Sequence, residues 1–187
     1  SVTLQELKDH LNTSESTIRR DLNTLDAQGK LVKVFGGAVA ADNMSIRDEQ
    51  VSRREEKNLE EKRLIARYAA SLIQDDDFVY LDAGTTTGCM LDYISDATTA
   101  VFVTNAPSHA QKLARKGMEV ILIGGRLKQS TEAVVGEEAC RQIEKFNFSL
   151  GFLGSNGVSE RSGFSTPDQD EAMVKKRAIE RIQIGRA

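Results

Sequence analysis

Four clusters of small polar residues each follow a short apolar run: Asp82-Ala83-Gly84-Thr85-Thr86-Thr87-Gly88, Thr104-Asn105-Ala106-Pro107, Gly124-Gly125-Arg126 and Gly154-Ser155-Asn156-Gly157. The first has the chemistry of an anion site. Gly84 lets the backbone turn tightly behind a strand, the helix start that follows exposes unpaired N–H groups, and three threonine hydroxyls surround the space. The lysine of a Walker-type loop is absent and the glycines lack dinucleotide spacing, so a single phosphate or a phosphosugar fits better than ATP or a dinucleotide. The plainer alternative is that Thr85, Thr86 and Thr87 only cap a helix. The Thr104-Asn105 and Gly124-Gly125 turns, taken alone, are strand punctuation. A fifth polar set lies near the start of the chain, where Ser16, Arg19, Arg20 and Asn23 offer hydroxyl, amide and guanidinium groups at close spacing.

Those last residues need a helix to present them. From Glu15 onward, Ile18, Leu22 and Leu25 fall at i, i+4 and i+7, one narrow apolar stripe. At about 100° per residue Arg20 lies nearly opposite that stripe, with Ser16, Asn23 and Arg19 on either side. Ser14 suits the cap, Glu15 the positive end of the helix and Gly29 its stop. Leu4, Leu7 and Leu11 form a second stripe on a shorter helix, and Asn12-Thr13-Ser14 makes the turn between them. Helix, tight turn and a second helix with a polar outer face is the arrangement in which the second helix enters a DNA major groove. The alternating run 31–35, the Gly36-Gly37 turn and a return over 38–40 then form a hairpin wing. Charge argues neither way: Lys8, Arg19, Arg20, Lys30 and Lys33 are balanced by Glu6, Asp9, Glu15, Asp21 and Asp26. Two such modules acting together are therefore expected for useful affinity.

The chain has 187 residues, 40% of them apolar and 28% charged, with a net charge of −3, an ordinary globular composition without an overall basic field. Cys89 and Cys140 are isolated, and neither His10 nor His109 is clustered with them, so neither a disulfide framework nor a zinc site is expected. No apolar run approaches the roughly 20 residues of a membrane span, so no membrane partner is expected and the protein is placed in the cytoplasm. After a charged stretch at 42–57, taken as a linker, Leu64, Ile65, Tyr68, Ala69 and Leu72 mark an amphipathic helix to about 73. Short apolar strands then alternate with helices: strands at 78–81, 100–104, 119–123 and 148–153, helices at 107–116, 137–144 and 168–182. This order predicts an α/β fold, a Rossmann-like open, mostly parallel sheet covered on both faces, with ligands beyond the carboxyl ends of its strands. Asp75-Asp76-Asp77 is read as a polar loop.

Ser16 to Leu22, followed by Leu25, Gly29, Leu31 and Phe35-Gly36-Gly37-Ala38, resembles the recognition helix and wing of DeoR-type bacterial transcriptional repressors. The resemblance implies operator DNA as a partner, contacted by Ser16, Thr17, Arg19 and Arg20, and gives Asp21 a structural role. The strand-end loops resemble the family's effector site, in a sensor similar to ribose-5-phosphate isomerase. It implies that Asp82 binds sugar hydroxyls and that Gly84, Thr85, Thr86 and Thr87 hold the phosphate. Thr104, Asn105, Gly124, Gly125, Arg126 and Asn156 complete the loops, and Glu171 and Lys175 face the ligand from the last helix. The plainer account of Glu171 and Lys175 is an i, i+4 surface ion pair.

The domain reading is a winged helix-turn-helix over 1–41, a linker over 42–57 and an effector-binding α/β domain over 58–187. Measured against the family pattern, the first helix of the winged module and the last strands of the sensor, with their lysine-bearing loop, are expected to be missing. The function expected is a regulator, a repressor of sugar catabolism or transport, released from DNA by a phosphosugar. It needs no cofactor and works as a homo-oligomer, dimer or tetramer. The alternative is a sugar-phosphate isomerase using Asp82 or Glu171 as base and Lys175 to stabilise an enediolate.

Overall fold

A computed structural model describes residues 2–11, 13–28, 30–34, 37–40, 51–160 and 163–183. The turn residue Asn12, the helix stop at Gly29, Phe35-Gly36 and linker residues 42–50 lie outside the described residues. The chain divides into two compact units, Ser1–Asp48 and Glu49–Ala187.

The first unit runs β1 (Val2–Thr3), α1 (Leu4–Leu11), α2 (Glu15–Ala27), β2 (Leu31–Val34) and β3 (Gly37–Ala40). The expected hairpin is present, and β1 adds a third, antiparallel strand in the order β1-β3-β2. Gly37 is required there, because a Cβ at that position would collide with the Val2 carbonyl oxygen. Ile18, Leu22 and Ala38 form the buried centre, with Val2, Leu4, Leu7 and Leu31 packed around them. Leu11, grouped with Leu4 and Leu7 by spacing, is exposed instead.

The second unit begins with α3 (Val51–Glu56), a helix inside the stretch taken as linker, and α4 (Leu59–Ser71). It continues through β4 (Phe78–Leu81), α5 (Thr85–Met90), β5 (Val101–Thr104), α6 (Pro107–Arg115) and β6 (Val120–Leu122). Then come β7 (Arg126–Lys128), β8 (Ala133–Val135), α7 (Glu137–Ile143), β9 (Leu150–Phe152), β10 (Gly157–Ser159), β11 (Gly163–Ser165) and α8 (Gln169–Arg181). The main sheet is parallel throughout, in the order β6-β5-β4-β9, with two small antiparallel hairpins, β7–β8 and β10–β11, beside it. Neither hairpin was expected from the sequence.

Alternation along the strands separates two cores. Val79, Leu81 and Phe102 face one side with Met90, Leu113 and the alanines of α4. Tyr80 and Val103 face the other with Val135, Ile143, Phe148 and Val174. The face of α4 differs from expectation. Ala66, Ala69 and Ala70 are its buried residues, whereas Leu64 is 72% exposed and Tyr68 70% exposed, with Ile65 and Leu72 also exposed. Small side chains let the helix pack closely on α5, so the bulky residues point away; the helix is where its period put it but turned on its axis. Asp77, read as part of a polar loop, is buried and accepts from the Gln74 amide at 2.8 Å and from Ser149 Oγ at 2.8 Å.

The register aligns Leu81 with Thr104 and Phe152, and Thr104 with Leu122. The four polar clusters therefore emerge at one end of the sheet. On the other face Phe148 is fully buried, with its ring centroid 5.2 Å from Tyr80 and 5.7 Å from Phe78. Replacing Phe148 by Ala is expected to cost about 3–5 kcal/mol of stability, read from urea denaturation.

Candidate functional site

In the first unit Ser14 caps α2 by accepting from the Thr17 amide at 3.2 Å. The hydroxyls of Ser16 and Thr17 lie 2.8 and 2.9 Å from Ser14 Oγ, so both take part in the cap. Arg19 forks onto Glu15, at 2.9 Å from Nε and 2.6 Å from Nη2. Arg20 keeps 77% of its side chain exposed, 3.8 Å from the Asp21 carboxylate, which is itself exposed. Asn23 is exposed as well. With Ile18 and Leu22 buried, α2 shows the two-faced character a groove-reading helix needs.

In the second unit several of the expected effector residues hold the strand ends to one another or to neighbouring helices. Asp82, 2% exposed, accepts from the Gly154 amide at 2.9 Å and pairs with Lys175. Asn105 is buried; its Oδ1 accepts from the Ala83 amide at 3.0 Å and from Tyr80 Oη at 3.3 Å, and its Nδ2 donates to the Val134 carbonyl at 3.1 Å. Burial, then the Asp82 carboxylate, push the Tyr80 phenol well above its ordinary range, so it stays a neutral donor. Thr87 donates to the carbonyls of Asp82 and Gly84 at 2.7 and 2.8 Å, and Thr104 Oγ1 accepts from the Ala106 amide at 3.1 Å. Gly124 donates to Gln142 Oε1 at 2.8 Å, and Gly125 adopts φ +147° where a Cβ would come within 3.0 Å of Val134 Cγ1. Arg126 pairs with Asp170 at the surface, and Asn156 is exposed beside the β10–β11 hairpin.

Glu171 and Lys175 are not an i, i+4 surface pair. Glu171 is buried and accepts from Thr131 Oγ1 at 2.6 Å and Lys128 Nζ at 3.1 Å, while Lys175 reaches Asp82 on another element. The sheet reverses its build-up between β4 and β9, and the space outside that switch point is spanned by the Asp82–Lys175 pair.

Open space lies next to this network, in a cavity of about 320 Å³. Of the expected residues, Gly84 and Thr85 line it; Asp82, Thr86, Thr87, Thr104, Asn105, Gly124, Gly125, Arg126, Asn156, Glu171 and Lys175 do not. The remaining wall has a polar part, Ser108, His109 and Lys112 of α6, Thr131 and Glu132 between β7 and β8, Arg54 and Glu55 of α3 and Asp92, and an apolar part, Leu59, Ala83, Gly88, Cys89, Leu91 and Ala106. None of Arg54, Ser108, His109 or Lys112 was singled out from the sequence as a site residue. The available signal was position, because Ser108 and His109 open the helix that follows the Thr104-Asn105 strand end.

His109 is 8% exposed and its buried Nδ1 has no hydrogen-bond partner among the described residues. Gly88 makes room for the ring, since a Cβ there would lie 3.0 Å from His109 Nε2. Burial lowers the imidazole pKa to about 4, with Asp82 opposing the shift and Lys112 adding to it. The site thus combines a neutral imidazole, cationic Lys112 (held 2.7 Å from Asp92), hydroxyls and the carboxylates of Glu55 and Glu132. Such a set suits a small polar ligand with an anionic end and hydroxyls.

A helix-turn-helix unit with an exposed arginine, in one chain with an open parallel α/β unit that holds a cavity of mixed polar and apolar lining, defines a class: a DNA-reading module attached to a sensing one. Residues 57–183 match the DeoR C terminal sensor domain and residues 1–44 the DeoR-like helix-turn-helix domain. The chain belongs to the DeoR family and is a transcriptional regulator, not an enzyme. The uncharacterized HTH-type transcriptional regulator FruR of Bacillus subtilis is 42% identical over 182 residues, covering 97% of this chain and 72% of the relative. HTH-type transcriptional regulator GlpR of Haloferax volcanii is 38% identical over 179 residues, covering 96% and 70%. The lactose phosphotransferase system repressor of Staphylococcus aureus is 34% identical over 183 residues, covering 96% and 72%. A solved ribose 5-phosphate isomerase from Methanocaldococcus jannaschii superposes with a TM-score of 0.49 at 11% identity, covering 67% of this chain and 50% of that one. No helix among the described residues is long and apolar enough to cross a membrane.

Two outcomes follow from the buried groups. As pH falls below 6.5 the unfolded chain protonates His109 while the folded chain resists until about 4, so stability declines across that window. Going from pH about 7.5 to about 5 should cost roughly 2 kcal/mol through this group, and His109→Gln should flatten that part of the denaturation-versus-pH curve. Lys175→Met leaves the Asp82 carboxylate buried without its cation and should cost about 3–5 kcal/mol, most of it recovered in the Asp82→Asn/Lys175→Met double variant.

Proposed function

We propose that this protein is a cytoplasmic repressor of a sugar catabolism or transport operon, released from its operator when a phosphorylated sugar occupies the cavity. The observation that carries this is the cavity wall built by Ser108, His109 and Lys112 of α6 together with Gly84 and Thr85, in the unit that matches a sensor domain. A phosphate there has cationic and N–H partners, and Glu55 and Glu132 can accept from sugar hydroxyls. Thr85 and Gly84 contact the ligand; Asp82, Thr104, Asn105, Thr87, Glu171 and Lys175 act by fixing the wall. The name of the Staphylococcus aureus relative, a phosphotransferase system repressor, agrees with this.

Operator DNA is read by α2, with Arg20 the principal base-contacting group and Ser16, Thr17, Arg19 and Asn23 around it. Because five basic residues meet five acidic ones in the first 40 positions, a single copy carries little net phosphate attraction. Two or more copies therefore act together. A ligand preferring the released state by about 1–3 kcal/mol would lower operator affinity roughly 5- to 150-fold.

Fluorescence anisotropy with cognate promoter DNA and competitor DNA, with and without phosphosugars, tests the scheme. Arg20→Ala should lose its preference for operator over competitor and keep the parent's thermal shift with phosphosugar, about 2.7 kcal/mol at 100 times Kd. Operator preference intact in Arg20→Ala would remove α2 from the interface; a flat thermal-shift panel would remove the sensor.

A further inference from the structure

One wall of the cavity lies outside both matched domains. The helix-turn-helix match ends at residue 44 and the sensor match begins at 57, yet α3, at Val51–Glu56, supplies Arg54 and Glu55 to the lining. Helix α3 belongs to the same compact unit as the sheet and packs on α5. The Arg54 carbonyl accepts from Lys62 Nζ and, at 3.5 Å, from Thr85 Oγ1, so its place beside the strand-end loop is held from two elements.

The Arg54 Nε is buried and has no hydrogen-bond partner among the described residues. A guanidinium N–H deprived of both water and an acceptor is costly, and such groups call for an explanation. The other unpaired buried nitrogen lining this cavity is His109 Nδ1, brought by α6. Two residues with orphaned nitrogens, brought by separate elements, thus line one cavity together with Lys112. A planar guanidinium matches the oxygens of a phosphate where an ammonium acts as a point charge.

We infer that Arg54 is an effector-binding residue that contacts the anionic end of the ligand, and that the bound ligand thereby ties α3 to the sensor. The inference rests on the phosphosugar reading above. It adds a route of regulation: α3 is the segment by which the chain passes from the DNA-reading unit into the sheet, so occupancy of the cavity is registered on the connector itself. A ligand that binds better when α3 is docked shifts the population toward that state.

The test uses the full chain, parent and Arg54→Met. The probes are glucose 6-phosphate, fructose 1-phosphate, fructose 6-phosphate, ribose 5-phosphate and inorganic phosphate. Calorimetry gives affinity and hydrogen exchange follows the amides of 51–56. With the best phosphosugar, Arg54→Met should bind about 10- to 100-fold more weakly. Its unliganded melting temperature should be no lower than the parent's, since the substitution removes a buried N–H that has no partner among the described residues. Ligand should slow exchange over 51–56 in the parent and not in the variant, and Arg54→Lys should recover part of the affinity. Inorganic phosphate binding as well as any sugar phosphate would make the ligand a free anion contacted in the same way.

Equal affinity in parent and variant, or protection of α5 and α6 that leaves 51–56 unchanged, overturns the inference and leaves the phosphosugar reading standing. A lowered unliganded melting temperature with unchanged affinity makes Arg54 structural and overturns it too. A parent that takes up none of the probes sinks the phosphosugar reading, and the role of Arg54 with it.

Discussion

A carboxylate at the end of a central strand, almost wholly removed from water, cannot stay ionised unless something answers its charge. Asp82 is answered by Lys175 from α8 and by the Gly154 amide, so one oxygen ties together segments more than seventy positions apart in the chain. Asn105 does the same with uncharged groups, joining β4, β5 and β8 through both ends of its amide. Glu171 extends the network to Lys128 and Thr131. These three polar side chains hold the loops beyond the parallel sheet in one arrangement, and the cavity exists because the loops cannot collapse into it.

A division of labour follows. Thr131 apart, the side chains of the network are satisfied by one another and do not line the cavity, while two residues that line it, Arg54 and His109, each have a buried nitrogen without a partner among the described residues. The network supplies shape and the lining supplies chemistry. Such a site is preorganised, so the order a ligand adds falls on the wall that the network does not hold.

Much of this architecture could be read directly. The Ile18/Leu22/Leu25 stripe and the Ser14 cap predicted α2 to the residue at its start, and the all-apolar runs predicted a sheet buried on both sides. What escaped had physical reasons. Helix α4 was assigned its face by its largest residues, but alanines take the buried side where it packs closely on α5. The β7–β8 hairpin escaped because its strands have three residues each and are joined by Gln129-Ser130-Thr131-Glu132, without glycine or proline to signal a turn. At the site, the location was legible and the roles were not. Polar residues after strands look alike whether they serve the fold or face a ligand, and His109 and Lys112 are unremarkable members of an amphipathic helix until the fold turns them inward.

The placement of α3 bears on how such regulators can be recombined. A sensor transferred to a new DNA-binding partner as the matched span 57–183 leaves Arg54 and Glu55 behind, and with them one side of its own cavity. The two domains are separable as folds, but the functional joint lies upstream of the sensor's boundary. A working chimera has to inherit the connector from the sensor's parent, because the connector is part of what the sensor recognises with.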